Sequence, residues 1–71
     1  MGDASFKIVK NLITLQSSSS FHKELNLVSW NKREPVYDLR GWNEDHTKMT
    51  KGITLSEAEF QEFISKIKEE F

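Results

Sequence analysis

The chain has 71 residues, and its ten lysines and arginines nearly balance eleven aspartates and glutamates; it has no cysteine. This length predicts one domain, residues 1–71, with a thin hydrophobic core. The lack of cysteine excludes disulfides and cysteine-based metal sites, so association of two copies is the remaining common means of stabilisation, and we expect a dimer. The first 55 residues are slightly basic and the last 16 are acidic, which is a weak indication of an anionic partner.

No apolar run is long enough for a membrane span, and no segment has the pattern of a signal peptide. We therefore expect no membrane partner and take the cytoplasm as the default location.

Four segments rich in β-branched and apolar residues predict strands, at about residues 6–15, 21–30, 36–42 and 49–55. Short polar segments connect them. In the connection before the third strand, Asn31 favours a turn and Pro35 cannot donate a ladder hydrogen bond. Gly52, inside the fourth segment, indicates a β-bulge or a close approach of two backbones.

A helix is predicted at about residues 57–70. Ser56 and Glu59 have the spacing of a capping box, in which each residue accepts a hydrogen bond from the other's backbone amide. An apolar stripe follows at helical spacing and is interpreted as core or dimer interface: Phe60, Phe63, Ile64, Ile67 and Phe71. The predicted fold is α+β, with an antiparallel β-β-β-β-α order. One helix cannot cover both faces of a sheet, so we expect one face to stay open.

The sequence gives no indication of an enzyme. It has no cysteine–histidine pair, no glycine-rich phosphate loop and no His-x-x-x-His or Glu-x-x-His spacing typical of a metal site. His22 and His46 lie on separate segments, and Asp45–His46 is interpreted as a solvated polar pair. We therefore expect no catalytic residue, no metal, no cofactor and no small-molecule substrate.

The third strand, "YDLRGW", carries unusual residues on one face. Side chains alternate along a strand, so Asp38, Arg40 and Trp42 share a face, while Tyr37 and Leu39 belong to an ordinary buried face. We interpret Asp38 as an orienting partner for Arg40 or for a neighbouring lysine.

The two tryptophans allow two interpretations. Trp30 and Trp42 could each cover a sheet edge as part of the core, or they could stack on the bases of a single-stranded nucleic acid. In the second case lysines on neighbouring strands would meet the phosphates.

Two motifs resemble those of the positive-cofactor-four family of transcriptional coactivators. They are "YDLRGW" and, after a polar loop, "KGITLSEAEF"; the segment "KELNLVSWN" is most similar to the compact bacterial members called YdbC. The resemblance covers about residues 6 to 70. It implies a homodimer with helices at its centre and curved antiparallel sheets that bind single-stranded DNA with little sequence preference, in transcription or related DNA transactions.

The resemblance implies that Arg40 and Lys51 are the motif's basic residues and Trp30 a base-stacking aromatic; a bacterial member would be nucleoid-associated. Two alternatives stay open, a single-stranded RNA ligand and a protein-interaction module that uses the open sheet face. The candidate nucleic-acid-binding residues are Lys7, Lys10, Lys23, Trp30, Arg40, Trp42, Lys48 and Lys51.

Overall fold

The computed structural model describes residues 5–71 as one antiparallel sheet followed by one helix. The strands are β1 (Phe6–Thr14), β2 (His22–Trp30), β3 (Val36–Trp42) and β4 (Ile53–Leu55), in that spatial order, and the helix is α1 (Glu57–Glu70). The predicted α+β class and β-β-β-β-α order are therefore confirmed. Within the described part of the chain, no helix is long and apolar enough to cross a membrane.

The fourth strand is much shorter than predicted, because its first half leaves the regular ladder. Trp42 pairs with Met49 in an isolated bridge, and Leu39 pairs with Ile53. Two residues of β3, 40–41, therefore lie opposite three residues, 50–52. One extra residue on one side of an antiparallel pair is the arrangement of a β-bulge. The bulge that Gly52 indicated is present, and it separates residues 49–52 from β4.

The connection between β2 and β3 begins with a tight turn. Asn31 and Lys32 both have positive φ, 51° and 65°, and the amide of Arg33 donates to the carbonyl of Trp30 at 2.9 Å. Two central residues with positive φ define a type I′ turn, whose twist matches that of the flanking strands. The Asn31 side chain also accepts from the amide of Ser5 at 3.0 Å and so fixes the start of β1.

The sheet is strongly rolled, and we call the face opposite the helix the concave face. Two register irregularities in β1, at Val9 and Leu12, bend this strand. As a result the Phe6 ring contacts the rings of both Trp30 and Trp42, with centroid distances of 5.8 and 5.2 Å, although the two tryptophans belong to opposite ends of the β2–β3 pair. The expectation of an open second face is wrong, because the rolled sheet fills this face with its own side chains.

The face that α1 packs against, which we call the outer face, is the more exposed one. Tyr37 stacks on Phe60 with a centroid distance of 3.8 Å, and its hydroxyl donates to Glu57 at 3.0 Å. Leu39 is 42% exposed, so the expectation that the Tyr37 and Leu39 face forms an ordinary buried core is wrong for the single chain. No residue of α1 is buried either.

Both halves of the predicted capping box are present at the start of α1. The Ser56 hydroxyl accepts from the amide of Glu59 at 3.2 Å, and the Glu59 carboxylate accepts from the amide of Ser56 at 2.9 Å. These bonds satisfy amides that have no partner within the helix.

Candidate nucleic-acid interface

The predicted binding residues divide between the two faces of the sheet. In the β1–β2 and β2–β3 registers, Lys7 lies opposite Ser29, Lys10 opposite Leu27 and Lys23 opposite Gly41. Directly opposed residues share a face, so these three lysines lie on the outer face. The tryptophans and Arg40 lie on the concave face, and the single platform that combined all of them does not form within one chain.

Trp42 is a core residue. Its exposed fraction is 0%, and its ring contacts those of Phe6 and His46, with centroid distances of 5.2 and 5.3 Å. A buried ring cannot stack on a base without unfolding its surroundings. Of the two interpretations of this tryptophan, the structure supports core packing, and the prediction that Trp42 offers a stacking surface is corrected accordingly.

Arg40 is held by a buried carboxylate, as the strand pattern predicts. Asp38 is fully buried and accepts from Nε of Arg40 at 2.8 Å and from Nη2 at 2.8 Å. Nη1 donates to the carbonyl of Thr50 at 3.3 Å and also contacts Met49. A guanidinium has five N–H groups, and these contacts leave one N–H on Nη2. Most of the charge on Arg40 is thus compensated within the protein.

Arg40 contacts Trp30, and Lys51 lies in the bulged segment opposite Arg40 and Gly41; we call Trp30, Arg40 and Lys51 the basic–aromatic patch. The Arg40 guanidinium lies 4.8 Å from the centroid of the half-buried Trp30 ring, which is within the range of a cation–π contact. Gly52 lies against Arg40; a Cβ on Gly52 would come within 2.6 Å of the Leu39 carbonyl oxygen. Only glycine allows this approach, and the exposed Lys51 directly precedes it in the chain.

Lys48 lies in the loop before the patch. Its amide donates to the Asn43 side chain at 2.8 Å and its carbonyl accepts from the Asn43 amide at 3.2 Å, so the loop backbone is fixed while the lysine is exposed. Lys48 thus lies three residues from Lys51 on a constrained segment.

A polar cluster on the concave face was not predicted from the sequence. Glu24 is 3% exposed. Its carboxylate is hydrogen-bonded to Nε2 of His22 at 2.6 Å, to Nε2 of His46 at 3.0 Å and to the side-chain amide of Asn26 at 3.0 Å. Asn11 in turn donates to Asn26 at 2.7 Å. Alternation along β2 places His22, Glu24 and Asn26 on one face, but nothing local to His46 indicates that its loop returns to them.

Opposing effects act on the pKa of Glu24. Burial raises this pKa, but hydrogen bonds from Asn26, His46 and His22 outweigh burial and lower it from the ordinary value for a glutamate. Glu24 is therefore a carboxylate at neutral pH. The two histidines, which the sequence placed on separate segments, share this one acid.

Comparisons with known proteins agree with the fold. Residues 17–66 match the family model described as Transcriptional Coactivator p15 (PC4). The chain is also similar to an uncharacterized protein of Treponema pallidum (strain Nichols), with 41% identity over 58 residues, which are 80% of this chain and 68% of the relative. The family match begins after β1, so Lys7 and Lys10 lie outside it, and the particular similarity to YdbC proteins stays a prediction. The rest of the sheet and α1 up to residue 66 lie within it. The chain therefore belongs to the Transcriptional Coactivator p15 (PC4) family.

Proposed function

We propose that this protein binds single-stranded DNA without strong sequence preference and acts in transcription or a related DNA transaction. The observation that carries the proposal is the family match over residues 17–66, because the family is a non-enzymatic, nucleic-acid-binding one whose members bind single-stranded DNA. Within that match Arg40 lies over the Trp30 ring, and Lys51 lies in the segment opposite Arg40.

The basic–aromatic patch has the chemistry that a single strand needs. The exposed part of the Trp30 ring would stack on a base, Lys51 would meet a phosphate, and the remaining Nη2–H of Arg40 would donate to a phosphate oxygen. Base stacking on an aromatic side chain is worth about 1–3 kcal/mol per base. The buried Asp38 carboxylate fixes the guanidinium over Trp30, so the patch needs little ordering on binding.

The lysines outside the patch would have a secondary role. Lys48 extends the positive charge from Lys51 along the same loop, while Lys7, Lys10 and Lys23 lie on the outer face and would meet a strand only where it passes around the sheet edge. Their contribution would be mainly electrostatic and therefore sensitive to salt.

We further propose that two copies associate through the outer face. An apolar groove of about 390 Å³ lies between the sheet and α1. Its walls are almost wholly apolar, and Ile53 and Phe63 are 63% and 50% exposed there. Ile13, Leu15 and Leu39 also line the groove and are exposed, and a cluster of large exposed apolar side chains is typical of an interaction surface. Covering the groove with the helix of a second copy would bury the predicted stripe, Phe60, Phe63, Ile64 and Ile67, and would leave both basic–aromatic patches free.

The test is a fluorescence anisotropy titration of a labelled oligo-dT strand, with a duplex and an oligo-U strand of equal length as competitors. We expect the protein to bind oligo-dT much more tightly than the duplex. The logarithm of the binding constant should fall with the logarithm of salt concentration, by about 0.7 for each phosphate neutralised. Tighter binding of oligo-U than of oligo-dT would indicate that RNA is the ligand. If neither oligonucleotide binds at low salt, the protein-interaction module is the remaining alternative.

Variants assign the contacts. Trp30→Ala and Lys51→Ala should each weaken oligo-dT binding by about tenfold, which corresponds to about 1.4 kcal/mol, and only Lys51→Ala should also reduce the salt dependence. The matched control is Lys66→Ala, because Lys66 is an exposed lysine on α1 that pairs only with Glu62, at 3.6 Å. If all three variants bind oligo-dT as tightly as the wild type does, the basic–aromatic patch is not part of the binding site.

A further inference from the structure

Two histidines and one glutamate converge on the concave face, where Glu24 lies opposite Arg40 in the β2–β3 register. Nε2 of His22 lies 2.6 Å from Oε2 of Glu24, and Nε2 of His46 lies 3.0 Å from each Glu24 oxygen. One ligand atom from each of the three residues lies within 4.8 Å of the others. We call these three residues the His–Glu–His cluster.

The backbone holds each member in place. His22 and Glu24 are alternate residues of β2, and Glu24 pairs with Arg40 in the middle of the sheet. His46 has a φ of 59°, an uncommon and strained value for a residue other than glycine. Its amide donates to the carbonyl of Asn43 at 3.1 Å. This turn directs the His46 ring back across the sheet to Glu24.

The ligand set is that of a zinc site with an open position. Two imidazole nitrogens and one carboxylate, with water as the fourth ligand, are a common set for Zn²⁺. At bond lengths of about 2.1 Å, ligand atoms in a tetrahedral site are about 3.4 Å apart. The observed separations of 2.6 and 3.0 Å, with all three atoms within 4.8 Å, bracket that value. Small side-chain rotations would admit an ion.

The surroundings also suit an ion. Asn26 donates to Oε1 of Glu24 at 3.0 Å and so orients the carboxylate, as outer-shell partners do in metal sites. The cluster opens to solvent on two sides. A hollow of about 510 Å³ is lined by Glu24 and His46, and a larger one of about 840 Å³ is lined by His22, Glu24 and the exposed acids Glu44 and Asp45. Water or an incoming ion can thus reach the fourth position.

We propose that His22, Glu24 and His46 bind one divalent transition-metal ion per chain, with Zn²⁺ as the native ion, and that the ion clamps the β3–β4 loop to β2. The loop carries Lys48 and leads to Lys51, so the clamp would fix the segment that holds these two lysines. In the metal-free protein the hydrogen bonds from the histidines to Glu24 occupy the place of the ion.

The test is a titration of the tag-free, chelator-treated protein with Co²⁺. Tetrahedral Co²⁺ with nitrogen and oxygen ligands has visible absorption bands, which should rise to saturation at one ion per chain and disappear when Zn²⁺ displaces the cobalt. Trp42 provides a second measurement, because its ring lies 5.3 Å from that of His46 and bound Co²⁺ should quench its fluorescence.

The variants separate a metal site from a set of hydrogen bonds. Glu24→Gln keeps the size of the side chain and removes a charged ligand, and His46→Gln and His22→Gln each remove an imidazole; each should weaken Co²⁺ binding by at least tenfold. Glu34→Gln is the matched control, since this exposed acid lies in the connection between β2 and β3, outside the cluster and both hollows, and the variant should bind Co²⁺ as the wild type does. Circular dichroism establishes that each variant is folded.

Two results would overturn the proposal. The first is a wild-type protein that shows neither visible absorption nor tryptophan quenching at millimolar Co²⁺. The second is an affinity that Glu34→Gln reduces as much as the cluster variants do, because this would indicate diffuse binding by surface acids. In either case His22 and His46 serve only to satisfy the buried Glu24 carboxylate.

Discussion

Asp38 and Arg40 illustrate how a strand can bury an ion pair. The two residues share a face of β3, and the carboxylate meets the guanidinium through two of its nitrogens. Asp38 is fully buried and Arg40 mostly so. A buried pair of this kind contributes little compared with well-packed apolar residues, but the loss of one partner leaves the other charge without compensation.

Asp38→Asn should therefore lower the free energy of unfolding by about 3 kcal/mol, because Arg40 would keep its charge beside a neutral amide. Urea denaturation at fixed protein concentration measures the change. Glu34→Gln, which removes an exposed acid in the connection between β2 and β3, should change the stability by less than about 0.5 kcal/mol. Equal stabilities of Asp38→Asn and the wild type would show that the pair is not important for folding.

For individual residues, the sequence predicts which side chains interact better than it predicts how exposed each side chain is. Alternation along β3 is enough to pair Asp38 with Arg40. The burial of Trp42 could not be predicted, because it depends on two irregularities in β1 that bring Phe6 across the concave face. The approach of His46 to Glu24 depends on a single positive φ in a loop, and residue patterns carry almost no information about such a torsion angle.

Among the secondary structure elements, α1 has the clearest helix-forming signals in its local sequence but the weakest packing against the rest of the chain. Its capping box is complete, Lys68 lies in its last turn, and its apolar stripe is uninterrupted, yet none of its residues is buried in one chain. Short helices in water are marginal without tertiary contacts. The caps and the stack of Tyr37 on Phe60 therefore account for most of what holds α1 within a single chain.

Ser56→Ala should lower the free energy of unfolding by about 1 kcal/mol, because the Glu59 amide loses its acceptor at the helix start. Ser65→Ala is the matched control. It makes the same substitution at an exposed position inside α1, where alanine is the better helix former, and it should be neutral or slightly stabilising. Thermal unfolding followed by circular dichroism compares them, and equal effects of the two variants would contradict a role for the cap.

The elements themselves were largely predictable. β3 and α1 have the predicted bounds because period-2 and period-3.6 patterns are unambiguous there, and β1 and β2 differ from prediction by one residue at one end. The prediction of the fourth strand was wrong in length. Strand propensity continues through residues 49–52, but Gly52 lies too close to the Leu39 carbonyl and to Arg40 for a regular ladder.

The whole chain has two faces of opposite character. The concave face is closed by Phe6 and both tryptophans, whereas the outer face keeps the apolar groove beside α1. For a chain of 71 residues this division leaves little core, and a second copy is the simplest way to enlarge it.

Phe63→Asp should convert the proposed dimer into a monomer, because it introduces a charge into the groove that the second copy would cover. Phe63 is half exposed in the single chain, so the fold itself should survive. Size-exclusion chromatography with light scattering measures the mass. Ser65→Asp introduces the same charge two residues further along α1, at an exposed position. This control variant should leave the dimer intact. A wild-type protein that is monomeric at high concentration would refute the proposed interface.

The most direct test of the binding account is a ¹H–¹⁵N NMR titration with oligo-dT that follows the two indole N–H signals. We predict that the Trp30 indole and the Lys51 amide shift with increasing oligonucleotide, while the buried Trp42 indole and the amides lining the apolar groove stay in place. Shifts concentrated at Leu39, Ile53 and Phe63, with no change at Trp30, would contradict the account, because they would place the nucleic acid where we place the second copy.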